Sequence, residues 1–483
     1  MRKIIFSIVL FLSVFGLFAQ YPTDTVYMSI YPPEMGMPDY LHTVIDTSVP
    51  DPIEIVRITD YMQDWDWYPH HEYSKIQPWN ADGTVYKFYS VAIYDNATHQ
   101  MIRELPGSEI WPSYWSNTNP DLIYSFRENG EIKVYNINTD SISVLYHIYY
   151  NDSLQEEYEV VKLGPGEGNI DIYDHYVALV AKHDDDMDVI VFDLQNLNVV
   201  CKKTFPDAWG NSSSPQYVDW VSVSQLGDYV GIMWDNSLDS SNSFNGHYGV
   251  EIFNTTDLQF LRRIADYGNH GDFGFDSDGN EVFVQFWGET GTLNMYYLDT
   301  LKRVVLSDNP DFVGEGHISC RNYLRPGWAY VCQDEHTGQI VAVKLDTSGI
   351  VELFGHHFST AETYLKSPMP CPNPTGTEVM FKSDFGDTTA DVIYTFVAQK
   401  NEITSDKNII SQKIQFFPNP TDVLLTVKVD DPVKVINIYS VNGVKILSSG
   451  STSVDISSLN DGIYFIEIIT SSQKHFFGKI IKK

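Results

Sequence analysis

The sequence predicts an all-β protein, a β-propeller of about seven blades followed by a small Ig-like β-sandwich. Three observations predict it. Helical periodicity is almost absent between Ile53 and Val397, where short aromatic or β-branched runs alternate with Gly, Asp and Asn. Within that region one strand-rich unit recurs at a spacing of about 40 to 60 residues, the period of a four-stranded blade with loop insertions. After a polar stretch, the landmarks then change for the remainder of the chain.

The opening "MRKIIFSIVLFLSVFGLFAQ" combines basic Arg2 and Lys3, an apolar run from Ile4 to Phe18 and small Ala19. This is the pattern of a secretory signal peptide, assigned to residues 1–19. A run of about fifteen apolar residues is short for a ~30 Å hydrocarbon core, so no transmembrane segment is expected in the mature chain. Residues 20–50 then form an amino-terminal extension, 51–399 the propeller, 400–413 a linker and 414–483 the terminal domain.

The chain carries 31 basic and 64 acidic residues, a net charge of −33. Phosphate backbones and anionic membranes require clustered Lys and Arg, so nucleic acid is not an expected partner. The acidity reads as a solvated surface with room for a divalent cation. No cofactor is otherwise expected.

The repeat unit is a polar turn with Gly, an apolar strand, a second strand ending in Asp or Asn, a Thr-rich turn and a further strand. Aligned on that Asp or Asn, the copies anchor at Asp95, Asn136, Asp193, Asn254, Asp299 and Asp346. The side chain there is expected to accept a backbone N–H two residues on and so stabilise the turn. The preceding turns "NADGTVYKF", "SQLGDYVGIMW", "DSDGNEVFVQFW" and "NPTGTEVMFKS" also correspond. The last of these opens a seventh unit that lacks its outer strand, and "PIEIVRITD" at Pro52 to Asp60 is positioned to supply it from the amino-terminal side, closing the ring. This pattern resembles the secreted TolB-type or WD40-like propellers, a resemblance that implies architecture far more than activity.

Pro-Asn-Pro-Thr occurs in that seventh turn and again at Pro418 to Thr421. The second copy belongs to a different set of blocks: "FFPNPTDVLLTVKV", "VKVINIYSVNGVKILSSG", "VDISSLNDGIYFIEIIT" and "KHFFGKIIKK". From Ile414 onward seven lysines meet six carboxylates, near neutrality beside an acidic body. Asn442-Gly443 and Asp461-Gly462 are hairpin signals, and the blocks suit a small antiparallel sandwich. Their order is similar to the carboxy-terminal sorting domain of type IX secretion cargo, at Pro418, Asn419, Pro420, Gly443, Lys445, Leu459, Gly462, Tyr464, Lys479, Lys482 and Lys483. That resemblance implies the type IX machinery as partner, and an extracellular or outer-membrane-surface location reached after a signal peptide takes the chain across the inner membrane.

Candidate ligand-binding residues lie at expected blade entrances: His70, His71 and Trp79 in "YPHHEYSKIQPW", Trp111 and Trp115 in "IWPSYW", His270 in "GNHGDF", His317 and Arg321 in "GEGHISCR", and His356 and His357 in "FGHHFS". Imidazoles on a propeller rim suit metal binding or proton transfer, and exposed aromatics offer flat faces to sugar rings. "GHIS" followed by "GHHFS" distantly resembles the oligogalacturonide lyases, propellers with a histidine metal site. Only His317 carries over, because no histidine lies between Leu365 and Gly376, and no metal is assigned. "HHEYSK" lacks the second histidine of a zinc helix, "GPGEGN" reads as a loop, "HDDDMD" as a hairpin tip, and no Gly-x-Ser-x-Gly elbow occurs. The expected function is therefore binding of a glycan or protein without catalysis, with a polysaccharide-cleaving enzyme and a surface-layer spacer as alternatives. Cys320 and Cys332 flank a Pro-Gly turn and are expected to face one another across a hairpin, a possible disulfide of the secreted protein.

Overall fold

The computed structural model describes residues 35–49, 52–60, 70–287, 291–307, 316–332, 338–387, 393–399, 415–417, 421–428, 432–440, 445–460, 462–471 and 475–483. The proposed signal peptide lies outside them. The chain divides into two compact units, Met1–Asn401 and Glu402–Lys483. Among the described residues no helix is long and apolar enough to cross a membrane.

In the first unit, six antiparallel sheets follow one another along the chain. They comprise the strands from Val85–Phe88 to Met101–Glu104, Ser113–Trp115 to Ser141–His147, Val160–Leu163 to Asn198–Phe205, Val218–Val223 to Phe260–Ala265, Gly271–Phe275 to Arg303–Ser307 and Ile318–Ser319 to Val351–His356. Each is a meander, with neighbours in sequence paired in space. A seventh sheet takes Cys371–Pro372, Glu378–Ser383 and Tyr394–Gln399 from the far end of the unit, then adds Ile53–Arg57 and Thr43–Asp46 from its beginning. Ile55 lies opposite Ala398 and Val56 opposite Val397, so the outer strand expected from the amino-terminal side is in place. The extension contributes one strand more.

Strand alternation explains why the sheets stack. In the fourth sheet Val230, Ile232 and Trp234 pack with Val180 and Val191 of the third, while Met233, Val250 and Ile252 on the other face meet Phe273 and Phe283 of the fifth. Gly231 leaves room for that neighbour, since a Cβ there would sit 2.4 Å from the Phe273 ring. Apolar clusters join each sheet to the next in this way around the whole series. The last, with Met380 and Val397 against Tyr86, Phe88 and Tyr94, joins the seventh to the first. The result is a closed, propeller-like ring.

Five of the six recurring Asp and Asn residues accept a backbone N–H of their own turn, Asp299 being the exception. Asn136, Asp193, Asn254 and Asp346 each accept the backbone N–H two residues on, at 2.9, 2.9, 2.7 and 2.7 Å. Asp95 accepts from Thr98, three on, at 2.8 Å. In the first Pro-Asn-Pro-Thr, Asn373 Oδ1 accepts the Thr377 N–H at 2.9 Å, and Gly376 takes φ +66°, which closes the turn.

The disulfide expectation is corrected by register. Ile318 lies opposite Val331, which sets Cys320 opposite Ala329 and Cys332 opposite His317. Cys320 packs with the fifth sheet and Cys332 with the seventh, on opposite faces of the hairpin, and no disulfide joins them.

In the second unit, Gln415–Phe417, Leu424–Lys428 and Ser453–Asp455 form one sheet, and Lys445–Ser449, Val433–Ser440, Gly462–Thr470 and His475–Lys482 another. Leu425, Val427 and Val454 from the first meet Ile436, Ile438, Ile466, Ile468 and Ile480 from the second in one core. Leu459 and Tyr464 pack against its margin, with the Tyr464 hydroxyl donating to Asn460 O at 2.8 Å. Gly462 adopts φ +152°, which disfavours any Cβ. Lys445 and Lys483 are exposed and Lys482 is buried. Pro418, Asn419, Pro420, Gly443 and the Lys479 side chain lie outside the described residues.

The strand that extends the closing sheet carries a buried hydrogen-bonded contact to the sixth sheet. Asp46 accepts the His356 backbone N–H at 3.0 Å and its imidazole Nδ1–H at 2.7 Å, with both side chains fully buried. Burial alone would raise the Asp46 carboxyl, but hydrogen bonds from His356 and Ser48 outweigh it and hold the group below its ordinary value. Replacing Asp46 with Ala removes the carboxylate that accepts from the buried His356 backbone N–H and imidazole, and chemical denaturation is expected to show a loss of about 1–3 kcal/mol.

Candidate functional site

The stretch between the closing sheet and the first sheet carries His70, His71, Glu72, Tyr73 and Lys75 into the middle of the ring. Tyr73 Oη lies 2.9 Å from His270 Nδ1, at the start of the fifth sheet. The Tyr73 ring meets His317, at the start of the sixth, edge-on at 5.3 Å, and the two imidazoles lie 4.4 Å apart. Lys75 Nζ lies 2.7 Å from Glu167 and 4.8 Å above the Trp220 ring of the fourth sheet. Residues from the starts of several sheets thus converge, because each inner strand begins at the same place around the ring.

The histidines there are neutral at physiological pH. Burial lowers His71 to about 3 and His70 to about 4, and it depresses His317 and, less strongly, His270. His71 Nε2–H donates to the Met369 carbonyl at 2.5 Å, and His317 Nδ1 lies 3.1 Å from Ser367 Oγ. His317 Nε2 is buried without a hydrogen-bond partner. The Tyr364 ring, 61% exposed, covers this pair, 5.6 Å from His317 and 6.4 Å from His270.

Beside the cluster opens a cleft of about 800 Å³. Trp111, 47% exposed, and Tyr89 form one aromatic wall with ring centres 5.4 Å apart, and Tyr73, Tyr114, Phe126 and Tyr364 contribute further rings. The polar lining includes Glu72, Arg127, Glu128, Asn129, Lys162 and Glu167. Glu72 Oε1 accepts from buried Lys87 Nζ at 2.6 Å, while Glu72 Oε2 is buried and unpartnered. Arg127 donates to the carbonyls of Trp111, at 3.0 Å, and Ser108. An aromatic-walled cleft with a few convergent polar groups is the usual form of a small-molecule or oligosaccharide site.

Of the predicted residues, the cleft takes Trp111, and the adjoining cluster takes His71, His270 and His317. His70, half-buried, stands next to Tyr89. The remaining residues do not line the cleft. Trp79 is buried, donating its indole N–H to Asn96 at 2.7 Å, and Trp115 donates to Pro78 O at 2.8 Å. Arg321 is buried in a two-point pair with Asp272, at 2.8 and 3.0 Å. His356 belongs to the contact with Asp46, and buried His357 accepts the Ser359 N–H at 3.0 Å. Glu72, Tyr73, Lys75, Tyr89, Glu167 and Tyr364 are the residues that sequence reasoning missed. Two signals were available: "HHEYSK" was read for its histidines alone, and "GPGEGN" is the loop that delivers Glu167. Among the described residues no three His, Cys, Asp or Glu side chains converge to hold a metal ion.

Residues 415–483 match the family described as the secretion system C-terminal sorting domain, and the carboxy-terminal unit is such a domain. No curated protein matches the chain. Solved structures of similar fold include two oligogalacturonate lyases. An oligogalacturonate lyase in complex with manganese is 12% identical, with TM-score 0.53, covering 77% of this chain and 99% of its own. The oligogalacturonate lyase of Vibrio parahaemolyticus is 13% identical, with TM-score 0.52, covering 74% and 96%. At these identities the likeness is one of fold, and the first unit is propeller-like in the same sense.

Two measurements check this placement. Trp79→Ala is expected to cost about 3–5 kcal/mol in urea denaturation, whereas Trp111→Ala stays within about 0.5 kcal/mol. His71 takes up its proton near pH 6.5 when unfolded but near 3 when folded, so the unfolded state binds more protons between those values. Its contribution is therefore a loss of stability as pH falls from about 6.5 towards 3, and NMR of labelled imidazoles is expected to show no His71 titration between about pH 8 and 5.

Proposed function

We propose that this chain is type IX secretion cargo whose propeller works outside the cell as a glycan-binding module, with the aromatic cleft as its binding site. The sorting domain at residues 415–483 supports export. The observation that carries the binding reading is the wall formed by Trp111 and Tyr89 beside Glu72, Asn129 and Glu167: flat apolar faces for sugar rings next to groups that hydrogen-bond hydroxyls. Binding here requires no proton transfer, and the buried neutral histidines stand behind Tyr364 rather than in the cleft wall.

A polysaccharide-cleaving enzyme is the second reading, favoured by the adjacent His270 and His317 imidazoles. The manganese named for one structural neighbour would need more than these two imidazoles: among the described residues no third His, Cys, Asp or Glu side chain joins His270 and His317. If cleavage occurs, His317→Ala abolishes turnover while leaving the fold intact; for a binding module the same variant leaves binding nearly unchanged.

Export is tested by mass spectrometry of the cell surface and culture medium. The full chain is expected outside the cell, shortened at both ends, and a chain truncated after Lys413 is expected to remain in the periplasm. Export of the truncated chain, or an intact tail on the external protein, overturns the sorting role.

A further inference from the structure

We infer that the cleft takes a neutral, hydroxyl-rich sugar chain in preference to a uronate-rich one, with Glu72 as the acceptor of a sugar hydroxyl. This rests on the reading of the cleft as a glycan site and names the class of glycan.

Glu72 is the polar group of the cleft with capacity left over. Its side chain is 8% exposed, Oε1 is occupied by Lys87 at 2.6 Å, and Oε2 is buried with no partner. An ionised carboxylate only accepts, so whatever completes this site donates a hydrogen bond. A sugar hydroxyl donates, whereas a uronate carboxylate brings another acceptor and another negative charge. Buried Lys87 places its Nζ 2.6 Å from Glu72 Oε1, as the countercharge of the carboxylate.

The cations near the cleft are already committed. Lys75 pairs with Glu167 at 2.7 Å, Lys162 donates to Ser213 O at 2.9 Å and lies 3.3 Å from Glu128, and Arg127 is held by two backbone carbonyls. Three carboxylates line the cleft, from Glu72, Glu128 and Glu167, against two lining cations. The chain's net charge of −33 adds a repulsive field for a polyanion. Stacking on Trp111 does not discriminate by charge, so the choice falls to these groups.

The test is isothermal titration of the full-length protein with cellohexaose, xylohexaose and mannohexaose against hexagalacturonate. At least one neutral oligosaccharide is expected to bind, roughly tenfold or more tighter than hexagalacturonate. Trp111→Ala is expected to weaken that binding by about tenfold. Glu72→Gln, checked for an intact melting transition because Lys87 loses its partner, is expected to weaken it similarly. Unchanged affinity in a folded Glu72→Gln variant overturns the acceptor role. If that variant does not fold, the comparison of neutral and acidic chains on the unaltered protein still decides the charge preference. Tighter binding of hexagalacturonate that Trp111→Ala weakens overturns the preference but keeps the cleft as a glycan site. Absence of binding by either class, or binding indifferent to Trp111→Ala, overturns the glycan reading itself.

Discussion

Each of the seven sheets of the ring is apolar on both faces, and that constraint organises the rest. A sheet such as Val218–Ala265 sends alternate side chains into two different clusters, so it needs a neighbour on each side. A linear stack of such sheets would end in two exposed apolar faces. Pairing Ile53–Arg57 with Tyr394–Gln399 removes those ends, and the cluster of Met380 and Val397 with Tyr86 and Phe88 completes the circuit. The Asp46–His356 contact fastens the extension strand to the sixth sheet.

Ring closure is also what assembles the site. Tyr73, His270 and His317 are far apart in the chain: Tyr73 lies in the stretch between the seventh sheet and the first, and the two histidines immediately precede the first strands of the fifth and sixth sheets. Their imidazoles are desolvated there and stay neutral, and Tyr73 and Ser367 engage one nitrogen of each. The cleft beside them keeps a different character, with exposed Trp111 on one wall and Glu72 turned inward with one oxygen unsatisfied. The ring therefore presents an aromatic surface at the cleft and buried imidazoles immediately behind it.

Local chemistry was legible and distant chemistry was not. Asp193 and Asn254 were readable as turn residues because the N–H they accept lies two positions along the chain, so geometry follows from the residue type alone. Cys320 and Cys332 misled because a turn sequence does not state register; the pairing of Ile318 with Val331 sets the two thiols on opposite faces. The three tryptophans looked alike in sequence, yet Trp79 and Trp115 are core residues with bonded indoles and only Trp111 opens to the cleft.

The sequence by itself determined the all-β class, the recurring turn, the strand borrowed for closure and the sorting domain at the end, since each depends on short-range patterns or on ordered motifs within one segment. Tertiary packing set the rest: His356 bonds to Asp46 of the extension strand, Arg321 is held by Asp272, and Glu72 and Glu167 line one cleft with Trp111. Those outcomes follow from which sheet faces which and at what register. Burial then decides whether a given histidine, carboxylate or indole is a structural partner or an available surface, and burial is a property of the closed ring rather than of any segment of it.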